Sequence, residues 1–335
     1  MRHLLSTLAL CTLAAIAGPT AAQTPAPGQT PAASAGTYPD RPVRIVVPLP
    51  PGGVVDTMAR LLSPALQASL GQPIVIQNVS GAGGTIGAGQ VAKSPPDGYT
   101  ILMVYDTFAV NPALYKKLPF DSFKDLAPVM ELVKIPLVMA APAKLPANNL
   151  KELVELAKTR PNGINYSSGG AGSSGHLAAE LLKSSLGIAN MTHIPYKGGG
   201  PALLAAVGGE VDFTILGTLV TVPQIRSGNM KALAVLGSRR TTPLPNVPTA
   251  AEQGIAGFDA SSWIGLLVPA GTPAPVTAKI HAAFAQALKA PSVVQKMAED
   301  GNQIVASSPE QFAAFLARDA ARWAKVVTDN NIQAD

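Results

Sequence analysis

The sequence predicts an α/β fold in two lobes joined by two crossover strands, and three observations predict it. A unit of short apolar strand, glycine-rich loop and helix start occurs four times, around residues 43–70, 73–92, 163–186 and 192–207. Strands that alternate with helices imply largely parallel sheets. Two extended stretches, 137–143 and 260–268, stand where the chain would pass from one lobe to the other and back. Open sheets of this kind bind ligands beyond the carboxyl ends of their strands, where all four glycine loops lie.

Taken in order, residues 43–47 read as a buried strand. Pro48 to Val55, with three prolines and two glycines, can be neither helix nor central strand. Asp56 is the expected N-cap of a helix whose stripe is Met58, Leu61, Leu62, Ala65, Leu66 and Leu70, ended by Gly71. Pro64 inside that stripe is expected to kink or break it. Residues 73–78 form a strand, 80–85 a loop and 86–92 a helix; 100–105 is a further strand and 151–159 an amphipathic helix. The third unit has a strand at 163–166, the loop Ser167 to His176, and a helix carrying Leu177, Leu181 and Leu186. The fourth has a strand at 192–195, a loop at 196–201 and a helix at 202–207. Strands at 211–216 and 232–236 and helices at 275–288 and 309–327 complete the reading. The first lobe is then discontinuous, 38–138 with 262–335, and the second is 139–261.

The opening residues carry an export signal. Met1-Arg2-His3 is a basic start, residues 4–17 are apolar, and Thr20-Ala21-Ala22 offers small residues for cleavage. Residues 1–22 are thus a signal peptide and 23–37, rich in Pro, Ala, Gly, Ser and Thr, a flexible leader. The one cysteine, Cys11, lies inside the signal and is preceded by Leu10, against a lipoprotein site. The mature chain has no thiol chemistry, and no later run is long and apolar enough to span a bilayer. Twenty-five basic residues against 20 acidic ones is a mild excess, with no basic block of the kind that binds nucleic acid.

The glycine loops suggest several chemistries. Gly170, Gly172 and Gly175 match a dinucleotide fingerprint, but residues 191–197 lack the acid that would hold a ribose. Ser173, Ser174 and His176 are close together without a nucleophile elbow, so an exported serine hydrolase stays a rival reading. The histidines His176, His193 and His281 have no metal-ligand spacing; neither a metal nor a cofactor is expected. His193 reads as a core residue, His281 as packing, and His176 as close to a ligand. What the loops offer is main-chain N–H groups at helix starts, which suit a carboxylate.

Several segments carry a resemblance. They are residues 38–48 with Pro51-Gly52-Gly53 and Asp56, then Gly81-Ala82-Gly83-Gly84, residues 96–100, and Asn111-Pro112-Ala113-Leu114-Tyr115. Residues 193–198, 209–212, 247–249 and 269–273 continue it. In this order they resemble the Bug family, the extracytoplasmic solute receptors of tripartite tricarboxylate transporters, from about Tyr38 to the end. The resemblance implies a periplasmic binding protein of Venus-flytrap form, type II-like, without catalysis. It implies a small organic carboxylate or dicarboxylate gripped between two loops through main-chain groups and ordered waters. It also implies the transporter's membrane subunits, and in some members a sensor kinase, as partners of a monomer. The expected contacts are Pro51, Gly52, Gly53, Val54, Val55, Asp56, Ala82, Gly83 and Thr107 in one lobe, and Ser168, Gly172, Ser173, Ser174, His176 and Tyr196 in the other. Where the family has small or hydroxyl residues, Val54 and Val55 stand here. This suggests a partly apolar ligand, such as the aromatic dicarboxylate terephthalate; the alternative is that both valines point into the core.

Overall fold

The computed structural model describes residues 38–333. The signal peptide and leader expected at 1–37 lie outside the described residues. The first lobe opens with β1 (Val43–Val47), α1 (Val54–Leu70), β2 (Ile74–Asn78), α2 (Thr85–Ala92), β3 (Thr100–Tyr105), α3 (Thr107–Leu114) and β4 (Leu126–Ile135). The second holds β5 (Leu137–Pro142), α4 (Leu150–Thr159), β6 (Ile164–Ser168), α5 (Ser174–Leu186), β7 (Met191–Pro195), α6 (Gly199–Gly208), β8 (Phe213–Gly217), α7 (Thr218–Arg226) and β9 (Met230–Val235). The chain returns through β10 (Ser262–Pro269), α8 (Ala274–Ala287), α9 (Pro291–Glu299), β11 (Gln303–Ile304) and α10 (Pro309–Asp329).

Two sheets result, ordered β11-β4-β10-β3-β1-β2 and β7-β6-β8-β5-β9. They are mixed rather than largely parallel. β1 pairs in parallel with β2 and β3, and β6 with β7 and β8, whereas β10, β4, β11, β5 and β9 run antiparallel to their neighbours. The reason is the hinge: a strand that arrives from the other lobe enters beside the ends of the parallel strands and must run against them. The two stretches expected to bridge the lobes therefore do so only at their tips. The chain leaves the first sheet at Ile135 and enters the second at Leu137, with Pro136 between them. It returns at Ser262, which pairs with Ile135.

Each sheet is covered on both faces, and the period of two along a strand sorts its side chains between them. Val43, Ile45 and Val47 of β1, Ile101 and Met103 of β3, and Ile264, Leu266 and Val268 of β10 enter one core with α1 and α8. The alternate residues Val46, Leu102, Val104, Trp263 and Leu267 enter another with Phe312 and Leu316 of α10. In the second sheet, Leu137, Met139 and Ala141 of β5 face α4 and α5, while Val138 and Ala140 face α6.

α1 runs unbroken through Pro64. The carbonyl that loses its donor there belongs to Arg60, and both residues are exposed, so water can take the vacated bond. The N-cap is Gly53 rather than Asp56, which sits in the first turn. α10 starts with a full capping box, Ser308 and Gln311 each accepting the other's main-chain N–H, with Pro309 in the first turn. Its single stripe serves two cores: Phe312 and Leu316 belong to the first sheet's outer core, Trp323, Val326 and Val327 to the second sheet's. Between them Asp319 accepts the indole N–H of Trp263 at 2.8 Å.

Gly265 of β10 shows how closely α10 seats. A Cβ there would lie 2.2 Å from Cζ of Phe312. Gly265→Ala is therefore expected to cost about 1–3 kcal/mol through overpacking, read as a lower urea midpoint, and Phe312→Leu in the same background should recover part of the loss.

Candidate functional site

The carboxyl ends of the parallel strands in both sheets lie at the hinge side. Leu137 pairs with Gly217 at the end of β8, and Ile264 pairs with Tyr105 at the end of β3. The βα connections of both lobes therefore border the cleft, as the strand rule requires.

In the first lobe, Pro51 and Gly52 are exposed and Gly52 adopts φ +79°, which leads the chain into the cap at Gly53. The Asp56 carboxylate turns back on this loop. It accepts the Gly52 N–H at 2.9 Å and both Nε and Nη2 of Arg60 at 2.9 and 3.0 Å. The Arg60 hydrogen bond lowers its pKa from the ordinary 3.8 to about 2, burial working against the shift. Asp56 is thus a brace for the loop, its carboxylate already engaged. Among the described residues, the N–H groups of Val54, Val55 and Asp56 have no hydrogen-bond partner, as expected of a first helical turn. Val55 is fully buried in the core under β1, and Val54 packs against the same core. The valine side chains go to packing, because the turn that aims the N–H groups outward points the side chains of this stripe at the sheet.

The second connection lies directly beside the first. Ala82, Gly83 and Gly84 form a 3₁₀ turn with all three φ positive. A Cβ on Gly84 would meet the Pro48 carbonyl at 3.3 Å. Gly83 accepts from the Asn111 amide of α3 at 3.0 Å. Thr107 opens α3 and is half-buried.

In the second lobe, Ser173 caps α5, accepting the His176 N–H at 3.4 Å, and donates to Ser168 at 3.2 Å. Ser168 in turn shares a 2.7 Å bond with Nε2 of His193. The His176 and His193 rings stack at 3.8 Å, and Tyr166 stacks on His193 at 4.9 Å. Burial lowers the His176 pKa to about 4, with Lys183 adding to it. Its neutral Nδ1 accepts the Gly172 N–H at 3.1 Å. Gly172, expected as a main-chain donor, therefore spends its N–H on His176. In the first turn of α5, the N–H groups of Ser174 and Gly175 have no hydrogen-bond partner among the described residues. His193 lies in a half-buried edge strand rather than in the core. His281 tethers α8 to the Ser307 carbonyl at 2.9 Å. Tyr196 sends its hydroxyl to Glu210 at 3.1 Å, while its N–H holds the end of β6 through the Ser168 carbonyl.

α3 carries the contact across. Its Asn111 holds Gly83, and Leu114 at its end lies against Gly172, where a Cβ would come within 2.4 Å of Leu114 Cδ1. Val110 of the same helix is buried in the second lobe's core. The sequence reading missed α3 as an element, and with it Tyr105 and Asp106 at the end of β3, which lie next to Ser174 and Ser262. Asp106 directly after an apolar strand and before Thr107 is the signal that could have found them.

The family model of the tripartite tricarboxylate transporter family receptor matches residues 58–332. The chain belongs to this family. It is 41% identical over 298 residues to Protein BugT of Bordetella pertussis (strain Tohama I), covering 88% of this chain and 91% of that one. Among solved structures, it is similar to MatC from Rhodopseudomonas palustris with bound malate, at 36% identity and TM-score 0.75, over 87% of this chain and all of the other. It is also similar to an R. palustris protein solved with adipate, at 33% identity and TM-score 0.79, over 89% of this chain and all of the other. Solved members of the family are two-lobed periplasmic binding proteins, and no helix among the described residues of this chain is long and apolar enough to cross a membrane.

Two outcomes follow from this geometry. Because the folded-state pKa of Asp56 is depressed, its contribution to stability is complete above pH 3.8 and is lost as pH falls toward 2. The stability gap between the protein and Asp56→Asn, followed by chemical denaturation, should be constant above about pH 5 and narrow below pH 3.8. Gly172→Ala should cost about 1–2 kcal/mol from its positive φ alone, plus the clash with Leu114. Leu114→Ala in that background should return the second part and not the first.

Proposed function

We propose that this receptor captures a small dicarboxylic acid in the cleft between its lobes, closes on it, and hands it to the membrane subunits of a tripartite tricarboxylate-type transporter after export to the periplasm. The observation that carries the reading is the pair of helix starts, α1 and α5, with consecutive free N–H groups at strand ends of opposite lobes. A helix N-terminus combines these donors with the positive end of its dipole, and a carboxylate satisfies both. Relatives solved with malate and with adipate, both dicarboxylates, support the class of ligand.

In this reading the lobes are 38–135 with 262–333, and 137–261, and Pro136 and Ser261 are the hinge. One carboxylate lodges on the N–H groups of Val54, Val55 and Asp56, with Gly52, Gly53, Ala82 and Gly83 shaping the approach. The α5 start, through Ser174 and Gly175, grips from the other side. Gly172, Ser173, Ser168 and His176 hold that start in place. Closure is stabilised only because the ligand touches both lobes, since a ligand shifts an equilibrium by its difference in affinity for the two states. The engagement of Val55 in the core removes the reason to expect an aromatic ligand.

The hydrolase alternative is disfavoured because the Ser173 hydroxyl already caps α5 and donates to Ser168. A signalling partner such as a sensor kinase would read the same closed form. Isothermal titration of the purified mature chain with succinate, malate and adipate should give saturable binding to at least one. X-ray scattering should then show a smaller radius of gyration with that acid. Binding without any change in scattering would count against closure, and ester turnover lost in Ser173→Ala would count against the receptor reading.

A further inference from the structure

A cavity of about 610 Å³ lies between α3, the turn at residues 121–125 and α10, and none of the cleft's glycine loops lines it. That volume falls in the range of roughly 300–1,000 Å³ that small-molecule sites occupy. The sequence of α10 explains why it is open. On the stripe that enters the cores the helix carries Phe312, Leu316 and Trp323. On the adjoining face Ala313, Ala317, Ala320, Ala321 and Ala324 recur at helical spacing, and all five line the cavity. Alanine gives this face the best helix former and almost no side chain, so the opposite wall is met across a gap. The floor is Ala109, Leu126 and Leu316, which are buried in the outer core of the first sheet. Phe123 lines the cavity from the turn and is 46% exposed.

One lining residue is polar. Ser122 is 4% exposed, and among the described residues its Oγ has no hydrogen-bond partner. Buried hydroxyls normally find one. The turn that holds it is otherwise satisfied. Asp121 accepts the N–H groups of Phe123 and Lys124 at 3.0 and 3.1 Å, and its own N–H goes to the Asp125 carboxylate at 2.8 Å. The two aspartates thus fix the backbone around Ser122 and leave its hydroxyl out of their network. Every other lining residue is apolar, and none is charged.

We propose that this cavity is a second binding site, for an uncharged apolar molecule of about ten non-hydrogen atoms that carries one hydroxyl, with Ser122 Oγ as its hydrogen-bond partner. A hydroxyl suits Ser122 because each can donate to or accept from the other. A carboxylate or an ammonium group does not suit it, since either would lose its hydration against alanine and leucine with no opposite charge to replace it. The apolar body of the ligand would cover the ring of Phe123 and the alanine face of α10, surface that otherwise meets water. The site is the chemical opposite of the cleft, where free main-chain N–H groups call for an anion, and the inference does not rest on the carboxylate reading.

The test is fluorine NMR of 4-fluorobenzyl alcohol with the mature full-length chain. Its resonance should broaden or shift saturably, with a Kd of about 1 mM or tighter. Ala321→Trp and, one turn away, Ala317→Phe each place a ring in the cavity from an exposed position. Each should abolish the binding in a protein that circular dichroism shows to be folded. Ser122→Ala removes an unpartnered hydroxyl, so its melting temperature should be unchanged or higher. It should weaken the alcohol about five-fold and leave 4-fluorotoluene, which has no hydroxyl to pair, within about two-fold. No saturation up to about 10 mM, or binding that survives both ring substitutions, overturns the site. Binding that both rings remove but Ser122→Ala leaves unchanged overturns the recognition of a hydroxyl.

Discussion

Covering both faces of both sheets is the constraint from which the rest of this structure follows. Alternate residues of β1, β3, β10 and β5 are committed to opposite cores. Away from the edge strands β2 and β7, little of either sheet face is open to water. Groups that need a partner are pushed to the strand ends, where connections turn and helices begin. The loops at Gly52, Gly83 and Gly172 use positive φ at those turns because side-chain-bearing residues would strain there. The free N–H groups of α1 and α5 are the by-product of helices that must start at that edge.

The second consequence concerns how the two lobes communicate. α3 belongs to the first lobe by sequence, yet its Val110 is buried in the second lobe's core and its Leu114 rests on Gly172. Asn111 of the same helix holds Gly83. One short helix therefore touches a glycine loop on each side. The two loops are thereby joined through packed side chains of a single helix.

Much of this was legible in the sequence where a periodic pattern met a turn signal. The order strand, loop, helix at 43–70 and 163–186 stands as read, because apolar alternation, glycines and a helical stripe agree there, although both helices start two or more residues earlier than their expected caps and loops imply and α1 passes Pro64 unbroken. The antiparallel members were not legible: β5 and β10 are almost uniformly apolar runs, which do not reveal direction, and β4 is interrupted by Pro128, Glu131 and Lys134. α3 was hidden because Asn111 and Pro112 read as loop residues, although in the fold the asparagine is a side-chain donor and the proline lies late in a short helix. At the strand ends, the sequence marks the loops but not which of their atoms stay free. Gly172 looked like a donor until His176, four residues on, turned its ring to accept that N–H. Val55 looked like a lining residue until its side chain proved to be part of the core.

Helix α10 has a bearing on the order in which this molecule assembles. Its stripe closes the outer core of the first sheet with Phe312 and Leu316 and the main core of the second with Trp323, Val326 and Val327. Neither half is sealed until residues 312–327 have joined, although most strands of both sheets precede them by more than a hundred positions. Neither half therefore has a complete core of its own without α10, and the two share one closing helix as well as one hinge.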